Sequence, residues 1–504
     1  MISSCTASVT GGVRTAGYVV VALAEAPGAL DPTQASTYVG RIVFANMCEK
    51  LYDVNSKLAV VPQLAAALPT ISPDGRTYTI RLRTGVRFND GTPMDASAVK
   101  MSLDRDRTDK LSQRKSELKP VVSVDVVDPQ TVRINLLKPF APLTTILADR
   151  SGMVLSPTAL RAEGDNFGRH PVCVGPFSFS SEPDPDEINL VRSTYYYGRD
   201  QVTIPGITFR VITQPNVRAT DLRSGDVDVV DRAAPQDVTT LQDDPDLRVQ
   251  IQPSLGYQGI YINIGNAHGT NAPAAPPDTP LAQHPTLRTA FELSLDRDVI
   301  NKVVFEGAYV PVCSPIPPIS TYAVNVPCSK RDIAQARQLV AASGVPTPIP
   351  VTLSVNNDAL DEQLATVIQA MAKDAGFDVK VRPTEFTTLL SDGQNGKFDT
   401  MLEGWSGRLD PDQNISQMYL PGSALNYSGN SDPTIDALIQ QGRTTLDPAA
   451  RKKIYQQLVV KANQELAIMF VYDQALALGV RKGITGIDFY GDGLIRLAHA
   501  RVTR

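Results

Sequence analysis

Hydrophobic and polar residues alternate along residues 77–83, and this spacing predicts a β-strand. An Asp-Gly pair at residues 90–91 then predicts a tight turn. Asp95 stands where a helix N-cap is expected, just before an apolar stripe that begins with Val99, Met101 and Leu103. The pattern therefore predicts one compact strand, turn and helix unit.

The rest of the chain alternates short β-rich runs with amphipathic helices and shows no fixed-period repeat, which predicts an α/β fold. The clearest predicted elements are strands at 19–24, 257–263, 351–355 and 379–382, a β-hairpin at 121–136, and helices at about 38–52, 287–304 (a pair) and 358–375.

Length and composition narrow the class of protein. The chain has 504 residues, of which 42% are hydrophobic, so two or three domain cores are expected. Charged residues make up 20% and the net charge is -5, which gives no basic field for nucleic acid or an anionic membrane surface. No apolar run approaches the ~20 residues of a membrane span.

The start of the chain resembles a lipidation signal. Residues 2–5 read Ile-Ser-Ser-Cys, typical of a site where Cys5 receives a diacylglycerol after export. No charged and apolar leader precedes it, so we expect the sequence to be trimmed close to its mature end. Residues 6–17 are rich in Ser, Thr and Gly, so residues 1–17 are predicted to be a flexible, lipid-anchored tether. An unmodified cysteine in a flexible tail is the alternative.

Four further cysteines favour an oxidising compartment. Cys313 and Cys328 enclose a proline-rich loop, and a disulfide there would contribute about 3 kcal/mol. Cys48 and Cys173 are then left to pair with each other, although four cysteines allow three pairings and free buried thiols remain an alternative. No Cys-x-x-Cys spacing occurs and the four histidines are scattered, so we expect no metal site.

The sequence of residues 77–105 resembles the signature of extracytoplasmic solute-binding proteins of family 5, the dipeptide- and oligopeptide-binding lipoproteins of ABC importers. Asn89 stands where His is common in that family. Further resemblances lie at residues 62–67, 170–180, 195–198, 221–230 and 287–304. At 170–180 Cys173 replaces a glycine of the family pattern, which strengthens the prediction that Cys173 has a bonded partner. The resemblance runs from about residue 30 to residue 487.

This resemblance implies a two-lobed periplasmic-binding-protein fold of type II, in the large cluster with an inserted subdomain and a hinge between the lobes. The expected division is lobe I core at 18–57, 172–256 and 475–504, inserted subdomain at 58–171, and lobe II at 257–474. Ligand contacts made only in the closed form would drive closure of the cleft.

The segment from Gly404 to Asp412 is the main candidate ligand site. The resemblance implies that Trp405 stacks on the ligand and that the main chain around Ser406 pairs with an extended one, although Trp405 could also fill the core. Peptide-binding relatives carry an aspartate for the ligand ammonium three residues after the tryptophan. Arg408 stands there instead, and its guanidinium suits a carboxylate or phosphate.

Two acids could take over the ammonium. Asp410 and Asp412 are the candidates, although a turn and a helix cap explain them equally well. The dipeptide-binding relatives also carry an arginine for the ligand carboxylate near the long helix, and residues 356–361 contain none. Weaker candidates for the cleft, each also explained by packing or solvation, are Glu25, Tyr38, Tyr257 and Asn426.

Three functions follow as hypotheses. The first is a lipid-anchored receptor, monomeric and cofactor-free, that delivers an oligopeptide or peptide-like solute to ABC permease subunits from the outer face of the cell membrane. The second is the same fold with a non-peptide anion, such as a sugar phosphate, an opine, or a metal or haem complex, which Arg408 favours. The third, a hydrolase, has no Gly-x-Ser-x-Gly, Walker or His-Glu-x-x-His motif in its support, so we expect no enzyme.

Overall fold

The computed structural model describes residues 15–184 and 186–503. Cys5 and residues 1–14 of the predicted tether lie outside the described residues. Within them the chain folds as the predicted two-lobed α/β protein, with three larger sheets. None of the helices in these ranges combines the length and the hydropathy that a membrane crossing requires.

The first sheet has seven strands and a buried centre. Val19–Leu23 lies inside it, is buried at all five positions, and pairs in parallel with Gly206–Val211 on one side and Val229–Val230 on the other. In spatial order the strands are Leu247–Pro253, Ala475–Arg481, Val229–Val230, Val19–Leu23, Gly206–Val211, Glu187–Arg192 and Phe177–Asp184. The unbroken apolar sequence of Val19–Leu23 is typical of a strand that is covered on both faces of the sheet.

The second sheet has six strands, all from the middle of the chain. In spatial order they are Val310–Pro311, Ile468–Asp473, Tyr257–Ile262, Thr400–Trp405, Ile349–Asn356 and Phe377–Thr384. Separate hydrophobic clusters cover its two faces. We propose that these strands form the core of lobe II and the first sheet that of lobe I, divided along the chain as the resemblance implies.

The third sheet has four strands, in the order Thr70–Ile71, Thr77–Arg81, Thr131–Leu136 and Val121–Asp128, and we propose that it forms the core of the inserted subdomain. The predicted hairpin and N-cap are both confirmed, since the Asp95 carboxylate accepts from the amides of Ser97 and Ala98 at 2.9 and 3.0 Å. Asn89 ties this unit to the first sheet, because its amide donates to the Phe177 carbonyl at 2.9 Å.

The remaining strands form three small pairs: Tyr52–Val54 with Val60–Pro62, Ile484–Thr485 with Arg501–Val502, and Asp488–Phe489 with Ile495–Arg496. The α-helices are Tyr38–Met47, Ala96–Thr108, Lys115–Leu118, Leu143–Ile146, Pro157–Glu163, Pro215–Ser224, Pro235–Gln242, Pro280–Gln283, Pro285–Ser294, Arg297–Val304, Ile333–Ala342, Ala359–Lys373, Phe386–Gln394, Pro411–Tyr419, Pro433–Thr444 and Pro448–Glu465. Short 3₁₀ helices lie at Arg150–Gly152, Gly164–Arg169 and Arg199–Gln201.

The first helix is shorter than predicted. The apolar pattern predicts a helix to residue 52, but the helix ends at Met47 and Cys48 adopts an extended conformation. Cys48 is bonded to Cys173, and Tyr52 already belongs to a strand, so tertiary contacts override the helical pattern.

Both predicted disulfides are confirmed. Cys48 and Cys173 are joined with their Cα atoms 4.9 Å apart, and Cys313 and Cys328 are joined with Cα atoms 5.3 Å apart. The first bond links the start of the lobe I core to the segment that returns from the inserted subdomain. The second closes the proline-rich loop of lobe II, so both suit an oxidising compartment.

The chain crosses between the two large sheets at residues 254–256 and again at Gln474. The Ser254 hydroxyl donates to the carboxylate of Asp473, which joins the two crossings. Only a few residues therefore connect the lobes along the chain, as a hinge requires.

Candidate functional site

The ligand-site segment begins at the hinge. Strand Thr400–Trp405 ends at the indole, and the turn that follows places Gly407 at φ +77°, a left-handed conformation that favours glycine. A Cβ atom on Gly407 would collide with the backbone of Leu255 in the first crossing. Residues 404–407, called the wall below, are therefore pressed directly against the hinge.

Trp405 is held on lobe II by one contact at its edge and one on its face. Its indole N–H donates to the side-chain oxygen of Asn414 at 3.0 Å, and the Arg408 guanidinium carbon lies 4.5 Å from the ring centroid. The side chain is half-buried, Gly404 is half-buried, and Ser406 is exposed. The wall thus keeps accessible surface, and stacking of a ligand on Trp405 stays a prediction.

Arg408 contacts lobe I instead of an open space. Its Nε lies 3.1 Å from the Asp149 carboxylate, and its side chain is only 7% exposed. Asp149 belongs to the inserted subdomain, so this ion pair spans the two lobes. The structure gives Arg408 a protein partner where a ligand anion was predicted.

Asp410 and Asp412 have structural roles that account for both acids. Asp410 caps helix Pro411–Tyr419, accepting from the Asp412 amide at 3.0 Å, and forms two hydrogen bonds with Arg451 at 2.8 and 3.0 Å. Asp412 pairs with Arg443 at 2.8 Å. The ion pairs and the helix cap account for both carboxylates, as the turn-and-cap alternative anticipates, and a contact of either acid with a ligand ammonium stays a prediction.

Tyr257 and Asn426 lie inside lobe II. Tyr257 is 4% exposed and its hydroxyl contacts that of Tyr261 at 3.2 Å. The Asn426 amide donates to three main-chain carbonyls, those of Tyr419, Leu420 and Asn430. Their predicted ligand contacts stay untested, and packing and loop closure explain both residues.

The lobe I side of the cleft centres on an arginine that the sequence analysis missed. Arg232 adopts φ +50°, rare for a residue with a side chain. Its guanidinium lies 4.9 Å from the centroid of the Tyr38 ring, 2.9 Å from Asp231 and 3.4 Å from Glu25. Glu25 and Tyr38 were both predicted to border the cleft, and Arg232 joins them. Although burial disfavours its charge, Asp231 and Glu25 raise the pKa of Arg232, which is therefore a cation.

The lobe II side carries two acids that the sequence analysis did not select. Glu403 precedes the wall on strand Thr400–Trp405, and Asp361 lies in the first turn of helix Ala359–Lys373. Neither forms an ion pair with a basic side chain among residues 15–184 and 186–503. From residues 356–361 the sequence analysis noted only that an arginine is missing, and it did not consider the acid in the first turn of the helix.

Both acids have strongly perturbed protonation. Burial, with a contribution from the negative charge of Glu25, raises the pKa of Glu403 to about 8. Burial, together with Asp358 and Glu403, raises the pKa of Asp361 well above its usual range. At neutral pH Glu403 is therefore largely protonated, and the ionised form of Asp361 is disfavoured. A cation placed between them would favour their ionised forms.

Tyr309 connects the two sides at the hinge. Its hydroxyl accepts a hydrogen bond from the Gln474 side chain at 3.2 Å, and its ring stacks on Phe305 with centroids 4.5 Å apart. The charges of Arg232 on lobe I and Asp361 on lobe II both act on the Tyr309 hydroxyl. The cleft cluster, defined as Glu25, Tyr38, Arg232, Tyr309, Asp361 and Glu403, thus draws residues from both lobes.

Solved structures share this architecture over nearly the whole chain. Helicobacter pylori DppA in complex with the peptide STSA superposes with a TM-score of 0.85 at 20% identity, covering 97% of this chain and 98% of that one. AgaA from A. tumefaciens in complex with agropinic acid gives a TM-score of 0.83 at 24% identity, covering 97% and 99%. These likenesses establish the fold.

Sequence relatives and a family match identify the group to which the chain belongs. The glutathione-binding protein GsiB of Salmonella paratyphi A is 28% identical over 451 residues, covering 87% of this chain and 85% of that protein. GsiB of Pectobacterium atrosepticum is 26% identical over 509 residues, covering 99% and 96%. Residues 59–426 match the model of the middle region of the bacterial extracellular solute-binding proteins, family 5. The chain belongs to the bacterial extracellular solute-binding proteins, family 5.

Proposed function

We propose that this protein captures a peptide-like solute carrying a cationic group, an ammonium or guanidinium, and delivers it to the permease of an ABC importer. Membership of family 5 supports the transport role. The observation that carries the ligand class is the pair of acids Glu403 and Asp361, which form no ion pair with a basic side chain among the described residues. The negative charge of Glu403 acts on Asp361, and that of Glu25 acts on Glu403.

The pairing of charged groups in the cleft favours a bound cation over a bound anion. Arg232 is already flanked by Asp231 and Glu25, and Arg408 is paired with Asp149. The basic groups of the site are therefore neutralised, whereas burial is the main factor that favours the forms of Glu403 and Asp361 that retain their protons. An ammonium would replace those protons and form charge-assisted hydrogen bonds with the ionised carboxylates.

Two of the named relatives, GsiB and DppA, are compatible with this ligand class. GsiB is named for glutathione and the DppA structure contains a peptide. Each of these ligands has a free ammonium group and a carboxylate. The non-peptide anion alternative rested on Arg408, whose contact with Asp149 withdraws that support.

Calorimetry with the solute recovered from the purified protein tests the proposal. Glu403→Gln should weaken binding by about 10- to 100-fold, because a charge-assisted hydrogen bond contributes roughly 1.5–3 kcal/mol. Glu362→Gln is the matched control, since Glu362 is exposed on the helix that carries Asp361. Equal affinities for the wild type and Glu403→Gln would remove Glu403 from the site.

We also propose that Cys5 carries a lipid that holds the protein at the outer face of the cell membrane. The Ile-Ser-Ser-Cys sequence and the two disulfides support export and anchoring. Metabolic labelling with a radioactive fatty acid should mark the protein in cells, and Cys5→Ala should abolish the label. Equal labelling of the Cys5→Ala protein would contradict a lipid on this residue.

A further inference from the structure

Asp149 lies between two arginines that belong to different lobes. One carboxylate oxygen is 3.2 Å from Nε of Arg41, in the lobe I helix Tyr38–Met47. The other is 3.1 Å from Nε of Arg408 in lobe II. All three side chains are nearly buried, with exposures of 6% for Arg41, 11% for Asp149 and 7% for Arg408. Because Arg41 and Asp149 are both on the lobe I side, Arg408 is the partner that a separation of the lobes would remove.

The same guanidinium holds the wall from the lobe II side. Nη1 of Arg408 donates to the Gly407 carbonyl at 2.7 Å and to the Ser406 hydroxyl at 3.2 Å. The group also covers the Trp405 ring at 4.5 Å. Arg408 thus contacts three of the four wall residues while it reaches Asp149, which couples the shape of the wall to the position of lobe I.

The charges around this contact support an ion pair at neutral pH. Although burial disfavours the charge, Arg41, Arg408 and Arg150 hold the pKa of Asp149 well below its usual range. Burial and Arg41 lower the pKa of Arg408 to about 10, which leaves it a cation at pH 7. Glu117 and Arg114 also act on Arg408, with opposite signs. Repulsion between Arg41 and Arg408 weakens the contact of Arg408 with Asp149, so the net attraction between Arg408 and Asp149 depends on the negative charge of Asp149.

Other contacts follow the same seam between the inserted subdomain and lobe II. The amide of Ala141 donates to the Arg443 carbonyl at 2.8 Å, and the Arg443 guanidinium lies 6.0 Å from the centroid of the Phe140 ring. Leu409 packs against the hydrophobic core of the inserted subdomain. These contacts add to the Arg408–Asp149 ion pair along the seam.

We propose that Arg408 is a positioning residue that links the wall to Asp149 and stabilises a closed form of the protein without solute. The affinity for any solute then includes a smaller cost of closing, because part of the population is already closed. The inference concerns the solute-free protein and does not depend on which solute is bound.

Single-molecule energy transfer on stripped and refolded protein measures this population. Dyes at Val127→Cys on the inserted subdomain and Gln440→Cys on lobe II, both exposed positions, would report separation across the seam in a Cys5→Ser background. Arg408→Gln and Asp149→Asn should each lower the ratio of closed to open molecules by about fivefold, the lower range for a charge-assisted bond opposed by a like charge. Arg382→Gln, which breaks an ion pair with Asp392 inside lobe II, should leave the ratio unchanged.

A double mutant separates the ion pair from other effects of either substitution. In the Asp149→Asn background, Arg408→Gln should cause little further opening, because the partner charge is already gone. Arg408→Lys, which keeps the charge, should remain closer to the wild type and serves if the Gln variant does not fold. Any one of three results would overturn the proposal. These are an unchanged closed-to-open ratio in Arg408→Gln, an undiminished effect of Arg408→Gln in the Asp149→Asn background, and an Arg408→Lys variant as open as Arg408→Gln. Each result is independent of solute affinity, so it does not bear on the proposed function.

Discussion

Replacing Asp410 by Asn should destabilise lobe II by about 3–5 kcal/mol, the cost of leaving a buried charge without its partner. Asp410 and Arg451 are each 3% exposed and share two hydrogen bonds at 2.8 and 3.0 Å. Asn keeps the size of the side chain and can still cap helix Pro411–Tyr419, so the loss isolates the ion pair. Asp410→Ala removes the cap as well and should cost about 1 kcal/mol more.

Urea unfolding followed by tryptophan fluorescence suits this measurement, since Trp405 is the single tryptophan of the chain. Its indole bonds to Asn414 on the helix that Asp410 caps, so the signal reports this part of lobe II. The matched control is Asp432→Asn. Asp432 also caps a helix and pairs with Lys461 at 2.9 Å, but Lys461 is 30% exposed, so the loss should not exceed about 1 kcal/mol. Equal losses for the two variants, with solute binding abolished only in Asp410→Asn, would refute the structural role and restore Asp410 as a ligand residue.

Three further predictions address separate parts of the account. Burial raises the pKa of Glu403 to about 8, and a bound cation favours its ionised form, so solute binding should release a proton and tighten by up to about tenfold per pH unit between pH 6 and 8. Calorimetry in buffers of different ionisation enthalpy counts the released proton, and a pH-independent affinity would contradict this prediction. Serine at both Cys313 and Cys328 should lower the stability of lobe II by about 3 kcal/mol in scanning calorimetry, and an unchanged stability would contradict a stabilising role of this disulfide. Asp95→Ala should cost the inserted subdomain about 1 kcal/mol in urea unfolding, and a loss below about 0.3 kcal/mol would show that the cap is dispensable.

Local signals account for the parts of the fold that the sequence predicts well. The N-cap at Asp95 and the hairpin at residues 121–136 depend on neighbours within a few positions, and both are present. The helix expected to reach residue 52 ends at Met47, because Cys48 bonds to a residue in a distant segment. Distant contacts of this kind leave no trace in the periodicity of hydrophobic residues.

The candidate site was predicted less completely for the same physical reason. The wall around Trp405 could be selected from the sequence, but the partners of Arg408 and Asp410 could not. Asp149 and Arg451 lie far along the chain, and only the folded lobes bring them near. Glu403 occupies an ordinary strand position, and its perturbed pKa arises from burial in the cleft.

Mass spectrometry of the small molecules released when the freshly purified protein is denatured tests the central claim most directly. Proteins that close around a solute can retain it through purification, so the released compounds report the natural ligand class. The account predicts a peptide or peptide-like compound with a free ammonium or guanidinium group that rebinds the stripped protein and binds Glu403→Gln more weakly. Release and tight rebinding of an anion that lacks any cationic group would contradict the proposed role of Glu403 and Asp361.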